Sequence, residues 1–250
     1  MSKVVLITGA TSGFGEATAE RFVKEGYSVV ITGRRKERLD AFKARFPYGN
    51  IFTLCFDVSD KKAVFDAIHS LPEAYKNIDV LVNNAGLALG LGRALEADLD
   101  DWETMIDTNI KGLLYVTKAV LPNMVERKSG YIFNLGSIAG NWPYEGGNVY
   151  GATKAFVRQF SLNLRTDLRG TNIRVTNIEP GFAETEFSNV RFKGDDEKAS
   201  SVYKGTKALD KEDIANTIFT LASLPQHVNV NTIEIMPTMQ TCGGLFVERH

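Results

Sequence analysis

Ser137, Tyr150 and Lys154 are the side chains of this sequence best suited to moving a proton. Tyr150 and Lys154 stand at i and i+4, so a helix would place them on one face. An ammonium beside a phenol favours the phenolate and draws its pKa down from an ordinary value of about 10. A tyrosine tuned that way exchanges a proton with an alcohol or a carbonyl. Near the N-terminus, Thr8-Gly9-Ala10-Thr11-Ser12-Gly13-Phe14-Gly15 supplies a second kind of chemistry. Gly9 permits a tight turn, and Gly13 and Gly15 let the backbone approach a pyrophosphate at a helix N-terminus. The spacing departs from the more common G-x-G-x-x-G, and a purely structural turn would use the same residues.

A dinucleotide cradle of this kind is discriminating at the end of its second strand. Thr32-Gly33-Arg34-Arg35 stands there with no Asp or Glu. An acid would repel a ribose 2′-phosphate, whereas guanidinium pairs with it, so Arg34 and Arg35 predict NADP(H) rather than NAD. The alternative is a solvated helix start.

The elements that must position these groups alternate along the chain. Short apolar runs predict strands at Val4–Ile7, Ser28–Thr32, Ile51–Phe56, Val80–Val82, Tyr131–Leu135, Ile173–Ile178 and Val230–Met236. Amphipathic stretches predict helices over Glu16–Glu25, Lys36–Phe46, Lys61–Leu71, Tyr150–Leu168 and Lys211–Ser223. From Asp100 onward the pattern predicts helix, broken near Asn109 to Gly112, with no clear end at Pro122. Near-continuous apolar strands alternating with helices predict an α/β chain: a single-domain, Rossmann-like, doubly wound parallel sheet with helices on both faces, spanning 1–250. The stretch 182–206 is the least regular and reads as a lid over the site.

Composition narrows the partners. The 250 residues carry a formal net charge of −1, which argues against nucleic acid or an anionic membrane surface. Basic residues cluster only at Arg34-Arg35-Lys36 and Arg38. Cys55 and Cys242 are far apart, which predicts no disulfide framework and a reducing compartment. Cys55 lies in an apolar run and reads as a small buried hydrophobe. No His/Cys/carboxylate spacing resembles a metal site. Val4–Ile7 is too short for a signal peptide or a membrane span, so the expectation is a soluble cytoplasmic protein.

Thr8 to Gly15, Asn83-Asn84-Ala85-Gly86, Asn109, Ser137, Tyr150-Gly151-Ala152-Thr153-Lys154 and Pro180-Gly181 together resemble the short-chain dehydrogenase/reductase family. The resemblance spans essentially the whole chain. Asn84 to Gly90, Trp102 to Asn109, Trp142-Pro143-Tyr144 and Glu184 to Arg191 resemble its NADP-dependent 3-hydroxy acid dehydrogenases, associated with serine, allo-threonine and malonic semialdehyde. Sulfoacetaldehyde reductases are similar over the same segments.

The family resemblance implies roles. Tyr150 is the acid in carbonyl reduction and the base in alcohol oxidation. Lys154 holds the nicotinamide ribose and lowers the Tyr150 pKa, Ser137 steadies the substrate oxygen, and Asn109 holds a relay water. Thr11, Ser12 and Phe14 join the glycines around the cofactor. Asp57, with Val58, contacts the adenine, and Asn83, Ala85 and Gly86 its adenosine side. Pro180 and Gly181 border the cofactor, and Thr185, following them, contacts the carboxamide. The family also implies a homotetramer, the C-terminal tail packing on a neighbour.

A small acid needs a cation in a dry pocket. Arg191, in the lid, is the candidate, with Lys193 nearby and a surface charge as the alternative. Trp142 and Tyr144 lie between Ser137 and Tyr150 and would limit substrate length. The substrate expected is a small hydroxy acid or aldehyde. A sulfoacetaldehyde reductase forming isethionate is the alternative enzyme, and a non-catalytic NADP(H)-binding sensor the alternative of another class.

Overall fold

The computed structural model describes residues 2–184, 186–191, 194–195, 197 and 203–243. Among them the apolar runs form seven strands: β1 (Val4–Ile7), β2 (Ser28–Gly33), β3 (Ile51–Cys55), β4 (Ile78–Asn83), β5 (Gly130–Leu135), β6 (Ile173–Pro180) and β7 (Thr232–Ile235). They make one sheet in the order β3-β2-β1-β4-β5-β6-β7, and every neighbouring pair is parallel. Parallel strands need covered crossovers, so every residue of β1 and β2 is buried.

Helices supply that cover. They are α1 (Gly13–Lys24), α2 (Lys36–Arg45), α3 (Lys61–His69), α4 (Glu73–Lys76), α5 (Leu99–Ile106), α6 (Leu113–Arg127), α7 (Asn148–Asp167), α8 (Phe187–Arg191) and α9 (Lys211–Ala222). Phe22 of α1, Leu39 and Phe42 of α2, and Ile214, Ile218 and Leu221 of α9 pack on one face with Val5, Ile7, Val29 and Ile31. Val64 and Ile68 of α3, Val116, Val120 and Met124 of α6, and Leu164 of α7 pack on the other with Leu6, Val30 and Leu81. The strand order reverses between β1 and β4, and a cleft opens there at the strands' carboxyl ends, as the doubly wound topology requires.

Two expectations change. The helix from Asp100 is not broken near Asn109: a π turn at Asp107–Gly112 joins α5 to α6. A π turn keeps the chain hydrogen-bonded while adding a residue to the coil, and it buries Asn109. Pro122 sits inside α6, which runs on to Arg127. Cys55 is exposed rather than buried, because it ends β3, the edge strand, where only Ile51 and Leu54 are buried.

Within 182–206, expected to be irregular, α8 forms a short helix. Thr185, Lys193 and the tail from 244 onward lie outside the described residues. No helix among the described residues is long and apolar enough to cross a membrane.

Candidate active site

The glycine turn is built by packing as much as by backbone freedom. Gly9 has φ +66°, and a Cβ there would stand 2.9 Å from Ala85 Cα. A Cβ on Gly15 would meet Gly9 O at 2.5 Å and the Asn84 amide closer still. Gly15 therefore does not approach a pyrophosphate: it is buried behind the turn, and only Gly9, Thr11, Ser12, Gly13 and Phe14 of this stretch line the cleft. Asn84 Nδ2 donates to Thr8 O (2.8 Å) and Gly9 O (3.2 Å), and the Asn84 and Ala85 N–H groups donate to Thr8 Oγ1. The β4 end thus braces the turn. Ser12, the N-cap of α1, makes no side-chain cap, which leaves the first helical N–H groups facing the cleft for an anion.

The cleft encloses about 350 Å³ and runs from Arg34 and Arg35, past Asp57, Val58, Ala85 and Gly86, to Ser137, Tyr150, Lys154, Pro180 and Gly181. Its elongated lining, glycine turn and terminal guanidiniums fit a dinucleotide carrying an extra phosphate. Arg35 donates to Thr11 Oγ1 (2.8 Å) and Ser12 Oγ (3.0 Å). Arg34 reaches Asp57 at 3.5 Å. Burial would raise the Asp57 carboxyl, but the Ser59 N–H and hydroxyl, then Arg34, hold it below its ordinary range. Asn83 is buried away from the cleft, donating to Thr117 Oγ1 and Asn134 Oδ1 at 2.9 Å each.

Ser137, Tyr150 and Lys154 meet at the inner end of the cleft. Ser137 caps the 3₁₀ turn Ile138–Gly140 by accepting from Ala139 N. That turn lies directly on α7: a Cβ on Gly140 would stand 2.7 Å from the Lys154 carbonyl carbon. Close approach sets the Ser137 hydroxyl beside Tyr150, where it pulls the phenol pKa down.

Lys154 Nζ donates to Leu135 O at 2.8 Å and lies 5.7 Å from the Tyr150 ring centroid. Burial pushes the Lys154 ammonium down to about 8. Burial also pushes the Tyr150 phenol up to about 12, against the opposing pull of Ser137 and Arg191. The lowered phenol expected from the Tyr-Lys spacing is not met, because desolvation outweighs the pull of Ser137 and Arg191.

Asn109 gives both amide hydrogens away, to Leu87 O (2.8 Å) and Thr153 Oγ1 (3.1 Å), and accepts from Leu87 N. A water held here would use the remaining Oδ1 lone pair or main-chain groups. Arg191 donates to Gly90 O and to Tyr144 Oη at 2.6 Å, and its guanidinium stands 5.6 Å from the Tyr150 ring centroid. Phe187 packs on the same ring at 5.6 Å. Trp142 does not line the cleft, and its indole nitrogen is buried with no hydrogen-bond partner among the described residues.

A family description, short chain dehydrogenase, matches residues 3–196. The chain belongs to the short chain dehydrogenase family. It is 61% identical over 247 residues to the NADP-dependent 3-hydroxy acid dehydrogenase YdfG of Salmonella typhi, covering 98% of this chain and 99% of that one. It is 54% identical over 250 residues to the serine 3-dehydrogenase of Rhizobium radiobacter, covering 100% and 99%. The solved closed form of a serine dehydrogenase complexed with NADP⁺ superimposes with a TM-score of 0.95 at 58% identity, covering 99% of this chain and 100% of that one.

In this short chain dehydrogenase, sequence reasoning missed four contributors to the site. Asn84 braces the glycine turn, although its motif was visible. Gly140 sets the Ser137 turn on α7. Glu179, buried on β6, accepts from Asn141 Nδ2 at 2.7 Å and so anchors the end of that turn. Glu186 lines the cleft beside Arg35. No local periodicity marks any of the four, since each acts on a residue distant in sequence.

Proposed function

We propose that this enzyme is an NADP(H)-dependent oxidoreductase interconverting a small 3-hydroxy acid and its oxo acid or semialdehyde. The observation that carries the reading is the convergence of Ser137, Tyr150 and Lys154 on the cleft that begins at the glycine turn, with Arg191 over the Tyr150 ring. The names of the relatives point to the same substrate class.

The bound cofactor supplies or accepts the hydride. Tyr150 Oη gives its proton to the carbonyl oxygen in reduction and takes it back in oxidation. A phenol held near 12 is a protonated donor at neutral pH, which suits reduction. Ser137 Oγ hydrogen-bonds the same substrate oxygen and fixes it against Tyr150. Lys154 holds the ribose hydroxyls and favours the phenolate as it forms. Asn109 belongs to the proton relay behind Lys154, and Gly86 lies beside both. Arg34 and Arg35 hold the 2′-phosphate, and Asp57, Val58, Ala85 and Gly86 flank the adenosine. Arg191 pairs with the substrate's anionic end.

The test is NADPH consumption with malonic semialdehyde, sulfoacetaldehyde, succinic semialdehyde and a neutral aldehyde, and the reverse reaction with L-serine, allo-threonine and 3-hydroxypropionate. Turnover confined to the small carboxylated substrates is expected. Preference for sulfoacetaldehyde would replace the reading with an isethionate-forming reductase. Cofactor binding without any turnover would replace it with a sensor. Arg191→Ala should raise KM for the acids about tenfold or more, as loss of a charge-assisted pair does, and leave the neutral aldehyde unmoved. Equal effects would remove Arg191 from substrate binding.

The proposal includes a cytoplasmic homotetramer. Its support is the absence of a membrane-spanning helix among the described residues and exposed apolar side chains on and near α5, Leu95, Leu99 and Ile106. Light scattering at the mass of one chain would dispose of the tetramer.

A further inference from the structure

Glu186 and Arg38 are 148 positions apart, yet Arg38 Nη1 donates to both Glu186 carboxylate oxygens, at 2.9 and 2.8 Å. Arg35 Nη1 stands 3.6 Å from the same carboxylate. Arg38 also reaches Thr11 O at 3.4 Å, and Arg35 is braced by Thr11 Oγ1 and Ser12 Oγ. The carboxylate therefore sits among two guanidiniums and the hydroxyl end of the glycine turn, where it lines the cleft. That donor set suits a phosphate better than a carboxylate, because a dianion gains more from two guanidiniums than a monoanion does.

We propose that Arg38 is a further 2′-phosphate ligand and that Glu186 is its resident counter-ion, released when the phosphate arrives. The proposal rests on the NADP(H) reading above and deepens it. A carboxylate left beside a phosphate would repel it, so the two anions exclude one another. Exchange is easy, because the ion pair is half-exposed (side-chain exposure 41% for Arg38 and 48% for Glu186) and such pairs are weak. A 2′-hydroxyl carries no charge to displace Glu186, so the exchange distinguishes NADP(H) from NAD(H). Arg34 is no part of the Glu186 ion pair: its own carboxylate contact is Asp57, at 3.5 Å.

The experiment is calorimetric titration of the wild-type enzyme, Arg38→Ala and Glu186→Gln with 2′,5′-ADP and 5′-AMP at fixed ionic strength. Neither ligand needs the nicotinamide end of the site. Arg38→Ala should weaken 2′,5′-ADP about tenfold, the scale of a charge-assisted pair, and leave 5′-AMP unchanged. Glu186→Gln should tighten 2′,5′-ADP about threefold, the scale of an exposed ion pair, and again leave 5′-AMP unchanged. Equal effects of Arg38→Ala on both ligands, or on neither, overturn the assignment of Arg38. Weaker binding of 2′,5′-ADP to Glu186→Gln overturns the counter-ion role. Wild-type enzyme binding 5′-AMP as tightly as 2′,5′-ADP would instead defeat the NADP(H) reading itself.

Discussion

Tyr150 holds its proton more tightly than a tyrosine in water, since burial disfavours the phenolate more than Ser137 and Arg191 favour it. Sequence spacing alone pointed the other way, because it registers the nearby amine and not the missing water. In the proposed reaction, a phenol so held is the proton donor of the reducing direction. Tyr150→Phe keeps the ring that Phe187 packs on and removes only the hydroxyl. Its turnover is expected to fall by about 10²–10⁴-fold, the usual worth of a positioned acid or base, while cofactor affinity stays put. Stopped-flow absorbance and a fluorescence titration check the two halves. Undiminished turnover would take Tyr150 out of the chemistry.

At the scale of elements, the site depends on three close approaches: the glycine turn against β4, the 3₁₀ turn against α7, and α8 against Tyr150. The first is the most sharply testable. Gly15→Ala puts a methyl 2.5 Å from Gly9 O, and α1 or the turn must shift. A loss of about 1–3 kcal/mol in unfolding free energy is expected, as for overpacking in a core, together with weaker cofactor binding. A variant as stable as wild type with unchanged cofactor affinity would show that the turn yields freely.

α7 is also pinned from below. Asn134 Nδ2 donates to Ser161 Oγ at 2.9 Å, and Asn83 holds Asn134 in turn. This buried network ties the helix bearing Tyr150 and Lys154 to the centre of the sheet.

For the whole molecule, the buried Lys154 makes stability depend on pH. An unfolded lysine keeps its proton up to its ordinary 10.5, whereas the folded one releases it near 8. Below 8 both states are charged, and the fold bears the full burial cost. Between 8 and 10.5 the unfolded chain holds the extra proton, so this contribution makes stability climb with pH. Lys154→Met should therefore unfold at higher urea than wild type at pH 7, by up to roughly 3 kcal/mol, with the gap closing toward pH 10.5. The Leu135 carbonyl it leaves without a donor sets back part of that gain. Urea titrations at several pH values check it. Parallel pH dependence in the two proteins would show that burial does not govern Lys154.

Strand and helix alternation, the glycine turn and the i, i+4 placing of Tyr150 and Lys154 were legible in the sequence, because each is set by residues a few positions apart. Alternation predicted seven strands within a few residues of where they form, and the doubly wound topology followed. The sequence did not disclose the direction of the Tyr150 shift, the exposure of Cys55, the continuous π-turned helix around Asn109, or the meeting of Arg38 with Glu186. These depend on how much water the crossovers exclude and on which distant side chains they bring together. Both are sums over neighbours in space, and only the folded chain defines those neighbours.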